Sequence, residues 1–232
     1  MNIALIGYGS MGKMVEAKAR ERGHSIVTVV NEHHSGLDAD ALADSLRASE
    51  VAIDFTAAEA VRRNVEACMA AGVPLVEGTT GWNGEIDVVR NLVESKNGGL
   101  VYGANFSVGV NLFYRIVENA SRLLAKFPEY EVFIEEQHHS KKKDAPSGTA
   151  IEIKHIVGNH FDDDFSISST RAGYIPGTHR VGFDSPSDQI LLEHTARSRE
   201  GFALGAVMAA EWIKDKKGFF EFSLAMDEII AG

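Results

Sequence analysis

Ile3-Ala4-Leu5-Ile6-Gly7-Tyr8-Gly9-Ser10-Met11-Gly12 decides how the first half of the chain folds. The four apolar residues read as a strand buried on both faces. The glycines that follow stand at G-x-G-x-x-G spacing, directly before a helical pattern over residues 11–22. Each glycine has its own reason to be there. Gly7 permits the tight turn out of the strand, Gly9 lets backbone amides approach a diphosphate, and Gly12 lets the helix lie close on the strand. The helix start then offers unpaired N–H groups and the positive end of its dipole. A dinucleotide suits that arrangement, with Gly7, Tyr8, Gly9, Ser10, Met11 and Gly12 as its cradle.

Outward from that turn, apolar strands and helical patterns alternate. Strands are expected over 25–30, 51–55, 73–77 and 100–102, with helices over 57–71 and 84–95. Near-continuous apolar strands separated by helices predict a parallel sheet covered on both faces, the doubly wound α/β arrangement of a Rossmann-type domain. Past residue 105 the pattern changes. A long amphipathic helix reads over 110–126, and strands over 131–137, 165–170, 181–183 and 189–196 carry polar residues on one face. That predicts a C-terminal α+β domain with an open mixed sheet. A helix over 201–214 and apolar residues over 219–230 return to the character of the first half. The expected division is a dinucleotide-binding domain of residues 1–105 and 201–232 and a second domain of residues 106–200.

Asn31 and Glu32 close the second strand, about twenty residues past the glycines, where an acid would accept the adenosine ribose 2′-hydroxyl. A carboxylate there repels a 2′-phosphate, which favours NADH. His33 and His34 either approach a phosphate when protonated or are ordinary loop residues, so NADPH stays open. Gly78-Thr79-Thr80-Gly81 and Gly103-Ala104-Asn105-Phe106 follow two more strands at their C-terminal ends, where ligands bind in such sheets. Both loops are candidates to border the nicotinamide ribose, and both also read as plain turn chemistry.

Composition narrows the partners. With 33 acidic against 23 basic side chains and a formal charge of −10, most of the surface repels nucleic acid and anionic membrane. No apolar run approaches the ~20 residues of a membrane span, and residues 3–6 are too few for a signal-peptide core. Cys68, the single cysteine, falls among small and apolar residues of a helical pattern. It reads as a buried structural thiol, in keeping with a reducing cytoplasm.

Against that acidic background stands His138-His139-Ser140-Lys141-Lys142-Lys143-Asp144-Ala145-Pro146-Ser147-Gly148-Thr149-Ala150. Two imidazoles and three ammonium groups suit a small, multiply negative ligand that must also receive a proton, the task histidine performs near neutral pH. Neighbours on an extended segment point to opposite sides, so one of His138 and His139 would face the reacting centre. The same geometry, and the lack of acid or Cys ligands at convincing spacing, argues against a metal. Lys142 could donate a proton or hold a negative group, while Lys141 and Lys143 read as solvated. Ser147 is the predicted N-cap of a helix whose Gly148 and Thr149 amides, with the Thr149 hydroxyl, would hold a carboxylate. Charge-assisted hydrogen bonds of about 1.5–3 kcal/mol each outweigh the ~0.3–1 kcal/mol of the helix dipole.

The run Glu135-Glu136-Gln137-His138-His139 through Ala150 resembles the signature H-H-x-x-K-x-D-A-P-S-G-T-A of the 4-hydroxy-tetrahydrodipicolinate (dihydrodipicolinate) reductase family. Ser10-Met11-Gly12, Asp54-Phe55-Thr56, Gly78-Thr79-Thr80-Gly81, Ala104-Asn105-Phe106-Ser107-Val108-Gly109 and Arg171-Ala172-Gly173 match in order, so the resemblance spans the chain. It implies NAD(P)H-dependent reduction of 4-hydroxy-tetrahydrodipicolinate in diaminopimelate and lysine biosynthesis. It implies His138 as general acid/base, Lys142 as second proton donor, and His139, Gly148 and Thr149 as contacts of a dicarboxylate substrate. The cofactor would lie on the first loop, Gly78 to Thr80 and Gly103 to Phe106, with domain closure about 105–107 and 198–201. It also implies a homotetramer assembled through the sheet of the second, substrate-binding domain. Aspartate and homoserine dehydrogenases lack this histidine–lysine run, and a non-catalytic dinucleotide sensor has no use for a proton donor beside a carboxylate cradle.

Overall fold

β1 (Asn2–Ile6) is the apolar run of the opening stretch, and Ile3, Ala4, Leu5 and Ile6 are all buried. The computed structural model describes residues 1–34, 36–162 and 164–232. After β1 come α1 (Ser10–Glu21), β2 (Ser25–Val30), α2 (Ala39–Leu46), β3 (Val51–Asp54), α3 (Ala58–Ala71), β4 (Leu75–Glu77), α4 (Ile86–Ser95) and β5 (Gly99–Tyr102). Next come α5 (Val108–Leu124), β6 (Glu131–His138), α6 (Gly148–Gly158), β7 (Ile167–Arg171), β8 (Thr178–Asp184) and β9 (Gln189–Thr195). The chain ends with α7 (Glu200–Ile213), β10 (Gly218–Glu221) and α8 (Phe222–Ala231).

The chain forms two units, Met1–Val108 with Arg199–Gly232, and Gly109–Ser198. The first leaves later than residue 105 because Phe106, only 2% exposed, is one of its core side chains. Its sheet runs β10-β5-β4-β3-β1-β2, and every pairing is parallel. β1 lies between β3 and β2, so the chain reverses direction across the sheet at that point. Ligands bind at such a switch point in doubly wound sheets. One face carries α1, α7 and α8 over Ile3, Leu5, Val51 and Ile53; the other carries α2, α3 and α4 over Ala4, Ile6, Ala52 and Leu75. Burying each large aliphatic side chain contributes about 1.5–3 kcal/mol. α7 meets the sheet through Ala203, Ala206, Val207 and Ala210, small residues that let its axis come close. α2 is an element the periodicity did not announce. Asp38 caps it by accepting from the Ala41 amide at 2.9 Å, and Leu42, Ala43 and Leu46 anchor it.

The second unit's sheet runs β7-β6-β8-β9. β6 pairs β7 in parallel and β8 antiparallel, and β8 pairs β9 antiparallel, which makes it the mixed sheet the sequence predicts. Phe113 and Val117 of α5, with Ile153 and Val157 of α6, cover Ile134, Val181 and Phe183. Among the described residues, no helix is long and apolar enough to cross a membrane.

Candidate active site

In the first unit a cleft of about 530 Å³ opens at the C-terminal ends of β1, β2 and β3. Gly7, Tyr8, Gly9, Asn31 and Glu32 line it, together with Lys13, Thr56 and Arg63. The glycines divide the work as their spacing predicts. A Cβ on Gly7, at φ +88°, would meet the Phe55 carbonyl oxygen at 2.3 Å, and one on Gly12 would meet the Gly7 oxygen at 2.3 Å. Gly9 has open space where a Cβ would stand. Such a cradle fits a diphosphate. Ser10 opens α1, while Met11 packs into the core.

Asn31 and Glu32 are exposed at the cleft rim, and the Asn31 Oδ1 accepts from the His33 amide at 3.1 Å. Lys13 and Arg63 bring two positive charges to the same cleft. Neither stands in the glycine motif, so motif reading missed them. Arg63 sits on α3 and donates to the Asn64 Oδ1 at 3.0 Å.

Gly78, Thr79, Thr80, Gly103, Ala104, Asn105 and Phe106 follow β4 and β5, further along the same sheet edge, and do not line this cleft. A network ties down the first of these loops. The Thr79 amide donates to Glu77 Oε1 at 2.8 Å, the Thr56 amide donates to Thr79 Oγ1 at 3.0 Å, and Trp82 Nε1 donates to the Thr79 carbonyl at 2.9 Å. Phe106, expected with its loop at the cofactor, turns its ring into the core. Its ring stacks on Phe222 at 4.4 Å between centroids and meets Phe55 edge-on, because an apolar ring gains more from the core than from a wet cleft.

Beneath that loop lies a feature that sequence reading missed. Asp54 and Glu77 are paired across β3 and β4, and both are fully buried. Asn64 Nδ2 donates to Asp54 Oδ2 at 2.7 Å. Asp54 Oδ1 and Glu77 Oε2 have no donor of their own among the described residues. The two carboxyl groups interact directly, and burial side by side disfavours ionising both, so the pair retains a proton. Burial pushes Asp54 up to about 6. Burial and the neighbouring Asp54 charge push Glu77 well above the carboxylate range. Cys68 is buried as expected, and burial drives its thiol up as well.

In the second unit β6 ends at His138, which is 8% exposed. Its Nδ1 is hydrogen-bonded to Glu136 Oε2, and Glu136 Oε1 accepts from Arg171 at 2.6 Å. Burial depresses the His138 pKa, and Glu136 partly restores it. His179 stands beside the pair, its ring edge-on to His138 at 5.1 Å. It is pushed down to about 4, first by burial and then by His138, and is therefore neutral at pH 7. His179 Nε2 lies 3.1 Å from Ser147 Oγ. Glu136, Arg171 and His179 were not candidates from sequence. Strand register supplies them: Glu136 faces His179, and His138 faces Arg171. Glu136, His138 and His179 offer ligand atoms within 4.8 Å of one another, a set that sequence spacing did not reveal.

His139 is half-buried in the turn after β6, where its carbonyl accepts from the Lys142 amide at 3.1 Å. Lys141 and Lys143 are exposed. Ser147 caps α6 as predicted, accepting from the Ala150 amide at 3.2 Å. Gly148 is exposed with open space at its Cβ position. Thr149 is half-buried and hydrogen-bonded to Tyr114. Of the candidate cradle donors, Lys142 already holds a carboxylate of the chain itself. Lys142 Nζ lies 2.8 Å from Asp144 Oδ1, and that hydrogen bond, with help from the Gly148 amide, keeps the Asp144 carboxyl below its usual range.

Comparison with known proteins agrees along the whole chain. Residues 1–106 match the family model described as dihydrodipicolinate reductase, N-terminus, and residues 109–226 match its C-terminus. The 4-hydroxy-tetrahydrodipicolinate reductase of Christiangramia forsetii is 37% identical over 244 residues, covering 99% of both chains. That of Natronomonas pharaonis is 35% identical, covering 96% of this chain and 98% of its own. A dipicolinate-bound dihydrodipicolinate reductase from Paenisporosarcina sp. TG-14 has the same fold, with a TM-score of 0.79 at 21% identity over 95% of this chain and 97% of its own. With both halves matched and relatives more than a third identical from end to end, the chain belongs to the dihydrodipicolinate reductase family.

Proposed function

We infer that the chain catalyses the NAD(P)H-dependent reduction of 4-hydroxy-tetrahydrodipicolinate to tetrahydrodipicolinate with loss of water, a step of diaminopimelate and lysine biosynthesis. The observation that carries this is the end-to-end relationship to reductases of that name. The reaction breaks a ring C–O bond, makes a ring C–H bond and consumes one proton as the hydroxyl departs as water. When bound, the reduced nicotinamide supplies the hydride.

The chain's own residues do the rest. His138, with Lys142 as second donor, supplies that proton. Gly148, Thr149 and Lys142 hold one substrate carboxylate, which displaces Asp144 from Lys142 and the Gly148 amide, and His139 contacts the substrate. Gly7 to Gly12 hold the diphosphate, and the loops 78–80 and 103–106 border the nicotinamide ribose. Glu32 favours an unphosphorylated adenosine ribose and hence NADH, while Lys13 and Arg63 in the same cleft support NADPH as well.

The reaction requires no resident metal. A cation among Glu136, His138 and His179 would have to break the hydrogen bond between the first two and lie close to the Arg171 guanidinium. Activity unchanged by a chelator is the expected result; loss restored by zinc contradicts it. A homotetramer built on the second unit's sheet agrees with Ile190 and Leu191 of β9, which are 39% and 48% exposed. Light scattering should return four times the chain mass. The cytoplasm is the proposed location.

A coupled assay tests the whole reading, with substrate generated by the preceding pathway enzyme. Both cofactors should be oxidised only when that substrate forms, NADH with the higher kcat/KM. A preference for NADPH overturns the NADH assignment, and NADH binding without turnover overturns the reductase in favour of a sensor.

A further inference from the structure

Sheet register brings together side chains that lie up to 43 positions apart, Glu136 and His138 on β6, Arg171 on β7 and His179 on β8. We propose that Glu136 is the positioning carboxylate of His138. It accepts the Nδ1 hydrogen, so that Nε2 is the atom that takes up and delivers the transferable proton, and Arg171 keeps it ionised. The proposal rests on the reading of His138 as general acid.

Each part has a physical reason. Glu136 is completely buried, and an unpaired buried carboxylate would take up a proton. Burial opposes its ionisation, but Arg171, Ser169 and His138 more than offset that, so its carboxyl lies below the usual range. Its two oxygens are divided, one on the guanidinium at 2.6 Å and the other on the imidazole. For His138 the balance is reversed: burial, Lys142 and Arg171 all disfavour the imidazolium, and Glu136 is the group that favours it. A general acid must hold its proton near the working pH. Without Glu136 this imidazole would be left with cations and neutral His179 around it.

Geometry fixes which nitrogen acts. With Nδ1 on Glu136, Nε2 points toward Gly177, where a Cβ would stand 3.2 Å from it. Gly177, at φ +129°, has a backbone that other residues rarely adopt, and it leaves Nε2 uncovered. His179 packs edge-on against the ring and is itself tied to the Ser147 hydroxyl that caps α6. The proton donor is thereby referenced to the same helix start that would hold the substrate carboxylate.

The direct test needs no variant. Nitrogen-15 NMR of the full-length protein above the His138 pKa should show the Nδ1–H tautomer; the Nε2–H tautomer overturns the proposal. Kinetics provide the second test. Glu136→Gln should lower kcat by ~10-fold or more, up to the ~10⁴-fold that losing the orienting carboxylate costs a Ser-His-Asp triad. KM for both substrates should stay within about threefold, and the high-pH limb of the kcat profile should move to lower pH. Glu136→Asp should recover part of the rate, and in a His138→Ala background Glu136→Gln should cost little more. A Glu136→Gln profile that coincides with the unmodified enzyme sinks the positioning role alone. If His138→Ala keeps more than a tenth of the activity, the general-acid reading fails and takes this proposal with it. Activity that requires a divalent cation would assign the cluster to metal binding and overturn the proposal too.

Discussion

Glu77 and Asp54 show how much one proton can decide. Two carboxyl groups buried side by side cannot both ionise, so the folded protein keeps a proton that the unfolded chain has released by about pH 5. Because the folded-state pKa values are raised, stability from this pair is fully present below the ordinary carboxylate range near 4. It falls as pH rises through about 6 and beyond. Glu77→Gln keeps the acceptor for the Thr79 amide and supplies a donor to Asp54 without a titrating proton. Thermal melts at pH 5.5 and 8.5 should therefore differ less for this variant than for the unmodified protein; an unchanged difference would show that the pair shares no proton. The roles proposed for Thr149 and Asp144 concern binding instead. Thr149→Val should raise the substrate KM by ~10-fold or more, from about 1.5–3 kcal/mol per hydrogen bond to a charged group, with kcat little changed. Asp144→Asn removes an exposed competitor worth only ~0.2–1 kcal/mol, so KM should fall by no more than about fivefold. Steady-state kinetics separate these outcomes, and a rise in KM for Asp144→Asn would mean that the carboxylate helps the substrate bind.

α6 is the element where local sequence and site chemistry meet most directly. Ser147 caps it, Gly148 leaves its first turn open, and His179 reaches the cap from β8. Ser147→Ala should cost about 1 kcal/mol of stability, read as a lower midpoint in urea at unchanged slope. A loss under about 0.3 kcal/mol would deny the cap its role. Elements whose signal is local were legible before folding. The glycine turn after β1, the buried strands β3 and β5, the Ser147 cap and the amphipathic α5 all follow from short spacings. What lay outside the spacing depends on partners far away in sequence. α2 is eight residues long and held chiefly by packing of Leu42 and Leu46, so its own pattern is weak. Arg171 and His179 join the site through strand register, which no local motif encodes, and Lys13 and Arg63 reach the cleft from two different helices. Phe106 sits inside a legible loop motif, yet its ring belongs to the core, since a motif marks where backbone lies and leaves side-chain direction to packing.

For the molecule as a whole, the proposed reading gives the two units separable tasks. On the proposed reading, the Gly7–Gly12 turn and its cleft would bind a dinucleotide whatever happens at β6, and the β6–α6 region would handle a proton and a carboxylate. Substitution in one unit should therefore leave the binding function of the other intact. One comparison decides whether His138 is the proton donor of a reductase. Turnover and NADH dissociation constant are measured for the unmodified protein and for His138→Ala under the same conditions. The predicted result is a fall in kcat of ~10²–10⁴-fold, the scale of general acid–base catalysis, with NADH affinity within about twofold. A fall of less than tenfold, or a loss of turnover that tracks a loss of NADH binding, would contradict it.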